Sequence, residues 1–290
     1  MKSNFEIIEK IDFIFSKGML AFKQKATLVN INDNHCMELI NARHPFIDPE
    51  KVIPNSISFD DYLGIVITGP NTGGKTVLLK TVGLLVLMTK CGLLIPADEK
   101  SNVMIYDKVC CDIGDDQSIQ ANLSTFSSHM KNITEIINMV TPNSIVLFDE
   151  IGGGTDPDEG SKLAISILDY LIKNQISFIT TTHYSELKLF AYDNEKIVNA
   201  SMEFNQDTLS PTYRLLIGLP GSSNAYNIAS RLGLKSEIVE NARKRSITSN
   251  SELKFMMEKL EKRLYKLIEE EKTIKNLQKE LENPKLEYQE

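Results

Sequence analysis

The sequence predicts an α/β fold in which a mostly parallel central sheet carries helices on its faces. Short apolar runs at Leu63–Thr68, Ser144–Phe148 and Ile176–Thr180 predict strands, and the last two are typical of strands buried on both faces. Helical patterns follow or separate these runs, at Lys75–Cys91 and Ser161–Asn174. Alternation of strand and helix favours a parallel sheet. The composition agrees, because 42% hydrophobic and 24% charged residues suit a chain that buries a sizeable core.

A helix is predicted ahead of the sheet, over residues 5–22. Its apolar residues recur at helical spacing and are expected to face a core: Ile8, Ile11, Phe15, Leu20 and Phe22. Residues 27–62 are mixed, with a strand-like piece at Thr27–Ile31 and several turn signals. Two more strands are predicted at Val103–Tyr106 and Tyr213–Leu216.

The C-terminal part changes character after one more predicted helix over residues 235–246. Leucine or isoleucine then recurs every seven residues, at Leu253, Leu260, Leu267, Ile274 and Leu281. This predicts a coiled-coil-like helix, and the alternative is a helix packed on its own domain. We therefore divide the chain into a helical N-terminal remnant (1–26), a main domain (27–246) and a helical extension (247–290).

Charge and composition limit the location and the partners. A net charge of −7 argues against a broad basic surface, so most contacts with any nucleic acid are expected outside this chain. No apolar run of 18 residues is present, which predicts no membrane span. The first residues lack the apolar core of a signal peptide, and the four cysteines lack CxxC spacing. These features predict a cytoplasmic protein with reduced thiols.

A glycine-rich turn follows the first apolar strand and precedes a helix. It matches GxxxxGK[ST] in full, as Gly69, Pro70, Asn71, Thr72, Gly73, Gly74, Lys75 and Thr76. Glycines let successive backbone N–H groups face phosphate oxygens, and the positive end of the helix points at the anion. Lys75 is predicted to bind the β- and γ-phosphates, and Thr76 to offer a hydroxyl to Mg²⁺. The cofactors predicted are therefore ATP and Mg²⁺.

Two carboxylates end the second apolar strand. Asp149 is predicted to hold Mg²⁺, and Glu150 to orient or deprotonate the attacking water. The second carboxylate favours hydrolysis over simple nucleotide binding.

Three other stretches have the composition of a site. Leu123–Met130 either caps a helix that begins near Phe126 or presents its N-terminus to a phosphate. Gly152–Asp156 is a predicted loop beside the acidic pair. His183, after the third apolar strand, is predicted to touch the γ-phosphate or the lytic water, whereas His129 is expected to face a helix surface.

Four motifs together resemble the MutS branch of the ABC ATPases: TGPNTGGKT (68–76), LSTFSSHM (123–130), LFDEIGGGTDPDEG (147–160) and TTHYSELK (181–188). Residues 199–234 are more similar to the second bacterial subfamily, the MutS-like anti-recombination endonucleases, than to mismatch-repair MutS. The resemblance implies a P-loop NTPase of ABC type.

The resemblance also implies roles for particular residues. Two ATPase domains would pair head to tail, with Ser124 of one reaching the γ-phosphate bound by the other. Gly152–Asp156 would cross the dimer interface, and His183 would be the switch histidine. In the family a residue shortly before the core strand packs on adenine; here Val52 or Ile53 lies near that place, and neither is aromatic.

Family members act on branched or mismatched DNA and suppress recombination, and some act on stalled ribosomes. These activities use a clamp-and-lever region and a nuclease domain that we expect to be absent from this chain. The chain is expected to begin near the end of the lever and to stop inside the coiled coil. Endonuclease activity is therefore expected only of a full-length parent protein.

Two other functions remain open on the sequence. The chain could be a nucleotide-dependent dimerisation module with negligible catalysis of its own, which the heptads favour. It could also be the head of a chromosome-structure ATPase. That interpretation ranks last. Such heads carry a long coiled coil between the phosphate loop (69–76) and the acidic pair (149–150), whereas the same interval in this chain has the composition of a globular domain.

Overall fold

The computed structural model describes residues 2–33, 36–69, 73–114, 125–205, 208, 210–221, 225–246, 270, 273, 274 and 277. They belong to two compact units, Met1–Pro220 and Gly221–Glu290. The sequence-based division at residues 26 and 246 stays a prediction.

The larger unit contains five helices and two sheets among its described residues. The helices are α1 (Lys2–Gln24), α2 (Lys75–Lys90), α3 (Thr125–Met139), α4 (Pro157–Lys173) and α5 (Ser185–Asp193). The smaller sheet contains β1 (Asn30–Asn32), β2 (Glu38–Ala42), β3 (Asn55–Ser58) and β5 (Asn102–Met104), in the order β1-β5-β2-β3. The larger sheet contains β4 (Gly64–Thr68), β6 (Lys108–Asp112), β7 (Ser144–Phe148), β8 (Ser177–Thr181), β9 (Ile197–Asn205) and β10 (Ser210–Ile217).

The larger sheet confirms the predicted α/β class. Its order is β10-β9-β4-β8-β7-β6, and only β10 runs antiparallel to its neighbour. Every residue of β4, β7 and β8 is buried, as their apolar sequences predict. Parallel strands place their carboxyl ends at one edge, so the segments that follow β4, β7 and β8 meet there.

Two apolar clusters hold helices on opposite faces of this sheet. On one face, α2 packs with alternate strand residues such as Ile65 and Ile67, and the small sheet extends the same cluster. On the other face, α3, α4 and α5 pack with residues such as Val66, Val146 and Phe148. Because the two clusters clamp the strands from both sides, the strand ends that carry the site are rigidly placed.

Helix α1 corrects one expectation. The helix forms, but the residues predicted to face a core are all exposed: Ile8 61%, Ile11 49%, Phe15 69%, Leu20 38% and Phe22 87%. The end of the helix is anchored, because Ala21 and Gln24 are buried and Gln24 Nε2 donates to Pro45 O at 3.1 Å. Helical periodicity identifies an apolar side, but the described part of the chain supplies nothing to cover it. No described helix is long and apolar enough to cross a membrane.

The smaller unit contains α6 (Ala225–Arg231) and α7 (Ser236–Ser246) among its described residues. Helix α7 confirms the helix predicted over residues 235–246. The heptad prediction lies outside the described residues, except at Ile274.

Candidate active site

The glycine-rich turn begins and ends with left-handed backbone. Gly69 has φ +127° and Gly74, the N-cap of α2, has φ +90°. Both values strongly favour glycine, which explains these two positions of the motif. Pro70, Asn71 and Thr72 lie outside the described residues, and Gly73 is buried.

Lys75 is the first residue of α2 and is buried. Its Nζ donates to Gly69 O at 2.8 Å, so the side chain folds back across the turn. Burial lowers the pKa of Lys75, and the carboxylates of Glu150 and Asp149 partly oppose that shift. A buried ammonium group at the N-terminal end of a helix is suited to an anion of high charge.

Asp149 is held by a threonine on each side. Thr76 Oγ1 donates to Asp149 Oδ2 at 2.6 Å, and Thr181 Oγ1 donates to Asp149 Oδ1 at 2.5 Å. The first bond joins the phosphate-loop helix to the end of β7. The second comes from β8, the strand that lies between β4 and β7 in the sheet. The predicted neighbours Thr76 and Asp149 are therefore brought together.

Thr181 is a residue that the sequence analysis did not assign. Besides bonding Asp149, its Oγ1 accepts from Glu150 N at 2.9 Å. The local signal was a threonine at the end of a buried strand, two residues before His183. Only the strand order shows that it faces both carboxylate residues.

Glu150 has a left-handed backbone, with φ +51°. Gly153 N donates to Glu150 O at 2.9 Å and closes a tight turn after β7. The turn directs the chain away from the strand, while Glu150 stays close enough to Lys75 to affect its pKa.

The loop predicted at Gly152–Asp156 is pressed onto the first turn of α4. A Cβ on Gly152 would lie 2.4 Å from Gly160 O, and one on Gly160 would lie 2.3 Å from Gly152 O. Tyr184 Oη donates to Gly152 O at 3.0 Å, and burial raises the pKa of that phenol. Asp156 caps α4 by accepting from Asp158 N at 3.0 Å and Glu159 N at 3.3 Å. The loop therefore has a fixed shape.

His183 lies two residues beyond β8, beside the strand that leads into the glycine-rich turn. The residue is exposed, and its ring centroid is 4.4 Å from that of Tyr184. An exposed imidazole at this edge can meet a ligand that arrives there.

His129 does not simply face the surface of α3, as the sequence suggested. Its Nδ1 lies 2.7 Å from Asp112 Oδ2, and Asn132 Nδ2 donates to Asp112 Oδ1 at 2.8 Å. The reason is that β6 ends with a buried carboxylate facing the helix. Asp149 N donates to Asp112 O at 2.8 Å, so this cluster adjoins the acidic pair. Ser124 lies outside the described residues.

An aromatic ring that the sequence analysis did not assign lies against the glycine-rich turn. A Cβ on Gly74 would lie 3.1 Å from Tyr213 Cδ1, and Tyr213 is 48% exposed. Asn55 bonds the backbone of both Tyr213 and Ile53, which is 38% exposed. Val52 is half-buried and lines a small cavity with Gln24 and other residues. Tyr213 therefore lies exposed beside the turn, and Asn55 links it to the exposed Ile53.

The residues at this edge fit a magnesium–triphosphate. Thr76 and Asp149 present hydroxyl and carboxylate oxygens, which are the ligands that Mg²⁺ prefers. Lys75 and the N-terminal end of α2 supply the positive groups.

Known proteins resemble this chain over most of its length. Residues 65–250 match the family model described as MutS domain V. A relative named endonuclease MutS2 from Bacillus mycoides (strain KBAB4) is 51% identical over 260 residues, which cover 89% of this chain and 33% of the relative. One of the same name from Clostridium botulinum (strain Okra / Type B1) is 48% identical over 291 residues, covering 100% of this chain and 37% of the relative. The chain thus spans about a third of the length of the curated relatives it matches, and the resemblance indicated by the four motifs is confirmed.

Proposed function

Because the chain belongs to the MutS family through its MutS domain V, we propose that it binds ATP with Mg²⁺ and hydrolyses it at the ends of β4, β7 and β8. The family match supports an ATP-binding MutS-like module, and hydrolysis is the proposed step beyond it. The observation that carries the proposal is the 2.6 Å bond between Thr76 and Asp149, which joins the phosphate loop to the acidic pair.

Lys75 and the N–H groups at the start of α2 bind the phosphates. Nζ of Lys75, which bonds Gly69 O in this structure, turns to the phosphate oxygens. Thr76 and Asp149 hold Mg²⁺, which neutralises charge on the phosphate oxygens when bound. Thr181 keeps Asp149 oriented for that task.

Glu150 accepts a proton from the attacking water, and His183 stabilises the charge that develops at the γ-phosphate. Glu150 is suited to this because its backbone bond to Thr181 fixes its position relative to Asp149. His183 is suited to it because the side chain is exposed at the same edge.

The adenine base stacks on Tyr213, with Ile53 on its other side. The exposed ring beside Gly74 places an aromatic face next to the phosphate loop. Tyr213 thus supplies the aromatic contact that Val52 and Ile53 lack.

The partners are part of the proposal. Two copies close head to tail around ATP, with Ser124 and the Gly152–Asp156 loop reaching the other copy's site. The closed dimer acts on branched or mismatched DNA and so suppresses recombination. It also binds ribosomal RNA in stalled ribosomes. Both kinds of binding use regions outside this chain. The endonuclease activity in the relatives' names is assigned to those regions as well. All four cysteines are free, which suits a cytoplasmic location.

The test combines calorimetry with phosphate release. We expect Lys75→Ala to abolish the heat of binding of Mg·ATP, whereas Lys80→Ala, an exposed lysine of the same helix, retains it. We expect Glu150→Gln to bind ATP but to turn it over about 10²–10⁴-fold more slowly, the usual loss for a general base. Glu186→Gln on α5 is the matched control. Unchanged binding in Lys75→Ala, or near-normal turnover in Glu150→Gln, contradicts the corresponding assignment.

A further inference from the structure

The side-chain amide of Asn55 joins two segments that lie far apart in the sequence. Its Nδ2 donates to Tyr213 O at 2.9 Å and to Ile53 O at 3.3 Å. Its Oδ1 accepts from Leu215 N at 2.6 Å. One side chain on β3 therefore satisfies backbone groups on β10 and on the segment that precedes β3.

These bonds coincide with an irregularity in β10. The pairing of β10 with β9 shifts register between Pro211 and Leu215, and Tyr213 has φ +59°. A left-handed tyrosine costs free energy and persists only where its surroundings hold it. A carbonyl and the N–H group two residues later point the same way along a strand. The amide of Asn55 bonds such a pair, as the peptide group of a neighbouring strand would do.

The irregular backbone determines where the Tyr213 ring lies. The ring contacts the Gly74 position at the start of α2 and remains half-exposed. Loss of the Asn55 bonds would leave Tyr213 O and Leu215 N without these partners, and the strained turn could relax to ordinary extended backbone. That relaxation would move the ring away from the phosphate loop.

We propose that Asn55 is a positioning residue for the nucleobase of ATP, acting through Tyr213 without touching the ligand. This inference rests on the proposed function, in which phosphates bind at Gly69–Thr76 and adenine stacks on Tyr213. It makes the small sheet a determinant of base recognition, although the phosphate chemistry belongs entirely to the larger sheet.

The experiment compares two ligands that share phosphates but differ in the base. Binding of Mg·ATP and of magnesium tripolyphosphate is measured by calorimetry for the wild type, Asn55→Ala, Tyr213→Ala and the double variant. We expect each single variant to weaken ATP binding by about tenfold, the usual scale for one stacked base, and to change tripolyphosphate binding less than twofold. We expect the double variant to match Tyr213→Ala, since both changes remove the same contact.

Asn102→Ala is the matched control, because Asn102 lies in the same small sheet and its side chain bonds only the nearby Lys100 O, at 3.4 Å, among the bonds recorded for it. If circular dichroism shows that Asn55→Ala does not fold, Asn55→Ser replaces it. The hydroxymethyl group of serine is too short to bond both β10 and the segment before β3.

Three results overturn the inference: equal loss of ATP and tripolyphosphate binding in the Asn55 variant, a further loss in the double variant, or unchanged ATP binding in the Asn55 variant. Failure of the proposed function is distinguishable. In that case Lys75→Ala binds ATP as well as the wild type does, whatever the Asn55 variants show.

Discussion

Thr181 connects the two acidic residues to one strand end. Its hydroxyl donates to Asp149 and accepts from the backbone of Glu150, at 2.5 and 2.9 Å. Val has nearly the same shape but lacks the hydroxyl, so Thr181→Val leaves a carboxylate oxygen and an N–H group without their partner. We expect the Mg²⁺ concentration for half-maximal phosphate release to rise about 10–100-fold, the range typical of lost metal-ligand support.

Thr180→Val is the control for that prediction. Thr180 is equally buried and adjacent, but its hydroxyl makes only a long 3.4 Å bond to Thr181 O among its recorded bonds. An equal Mg²⁺ requirement in both variants would show that Thr181 does not support the metal ligand.

The role of a single residue can be predicted from the sequence where the residue belongs to a short contiguous motif. The sequence predicts that Lys75, Thr76 and Asp149 serve one site, because glycine spacing and strand ends determine their positions. The contacts of Asn55 with Tyr213 were not, since 158 residues separate them. No local pattern marks an asparagine whose partners lie on a strand so far along the chain.

At the scale of elements, the close contact between the Gly152–Asp156 loop and α4 reverses the usual preference of a helix for alanine over glycine. Ala normally stabilises a helix relative to Gly by roughly 0.5–1 kcal/mol. At Gly160 a Cβ would lie 2.3 Å from Gly152 O, so the loop must shift. We expect Gly160→Ala to lower the free energy of unfolding in urea by about 1–3 kcal/mol, the usual cost of overpacking, and to slow phosphate release.

Gly18→Ala is the control, because we do not expect it to lower the free energy of unfolding in urea. Gly18 lies inside α1, and a Cβ there meets nothing within 4 Å. That variant should be stabilised or unchanged. If Gly160→Ala is stabilised to the same extent, the loop adapts freely and is not held by α4.

Hydropathy predicted some strands well and missed others for a physical reason. Strand β7 was predicted to the residue, because all its positions are buried and nearly all are apolar. Strand β9 was missed although six of its nine residues are buried, since Asn199 and Ser201 are among them. Strand β6, at the edge of the sheet, mixes Lys108 and Asp112 with cysteines and has no apolar run. A buried polar strand cannot be recognised from apolar periodicity.

At the scale of the whole molecule, ATP should change the association state. If two copies close around nucleotide, Mg·ATP shifts the population toward the dimer, because only the closed state contacts ATP from both sides. We expect sedimentation velocity to show a dimer for Glu150→Gln with Mg·ATP and a monomer for Lys75→Ala under the same conditions. A dimer without measurable phosphate release in the wild type would favour the alternative, a nucleotide-dependent dimerisation module.

The apolar side of α1 needs a control in that measurement. Exposed side chains such as Ile8 and Phe15 can cause association without nucleotide. In the variant Ile8→Lys/Phe15→Lys, nucleotide-independent association should fall while the ATP-dependent step remains. Loss of both together would place the dimer contact on α1 and contradict closure around ATP.

The left-handed backbone of Glu150 brings selection for stability into conflict with selection for catalysis. Asn, Asp and Gly adopt positive φ at lower cost than Glu, so selection for heat resistance alone favours those replacements. Each of them removes or shortens the carboxylate that the proposed water activation needs. Variants of this chain that are selected for heat resistance alone would therefore tend to replace Glu150 and lose ATP hydrolysis. Such a selection has to measure the turnover rate as well as the melting temperature.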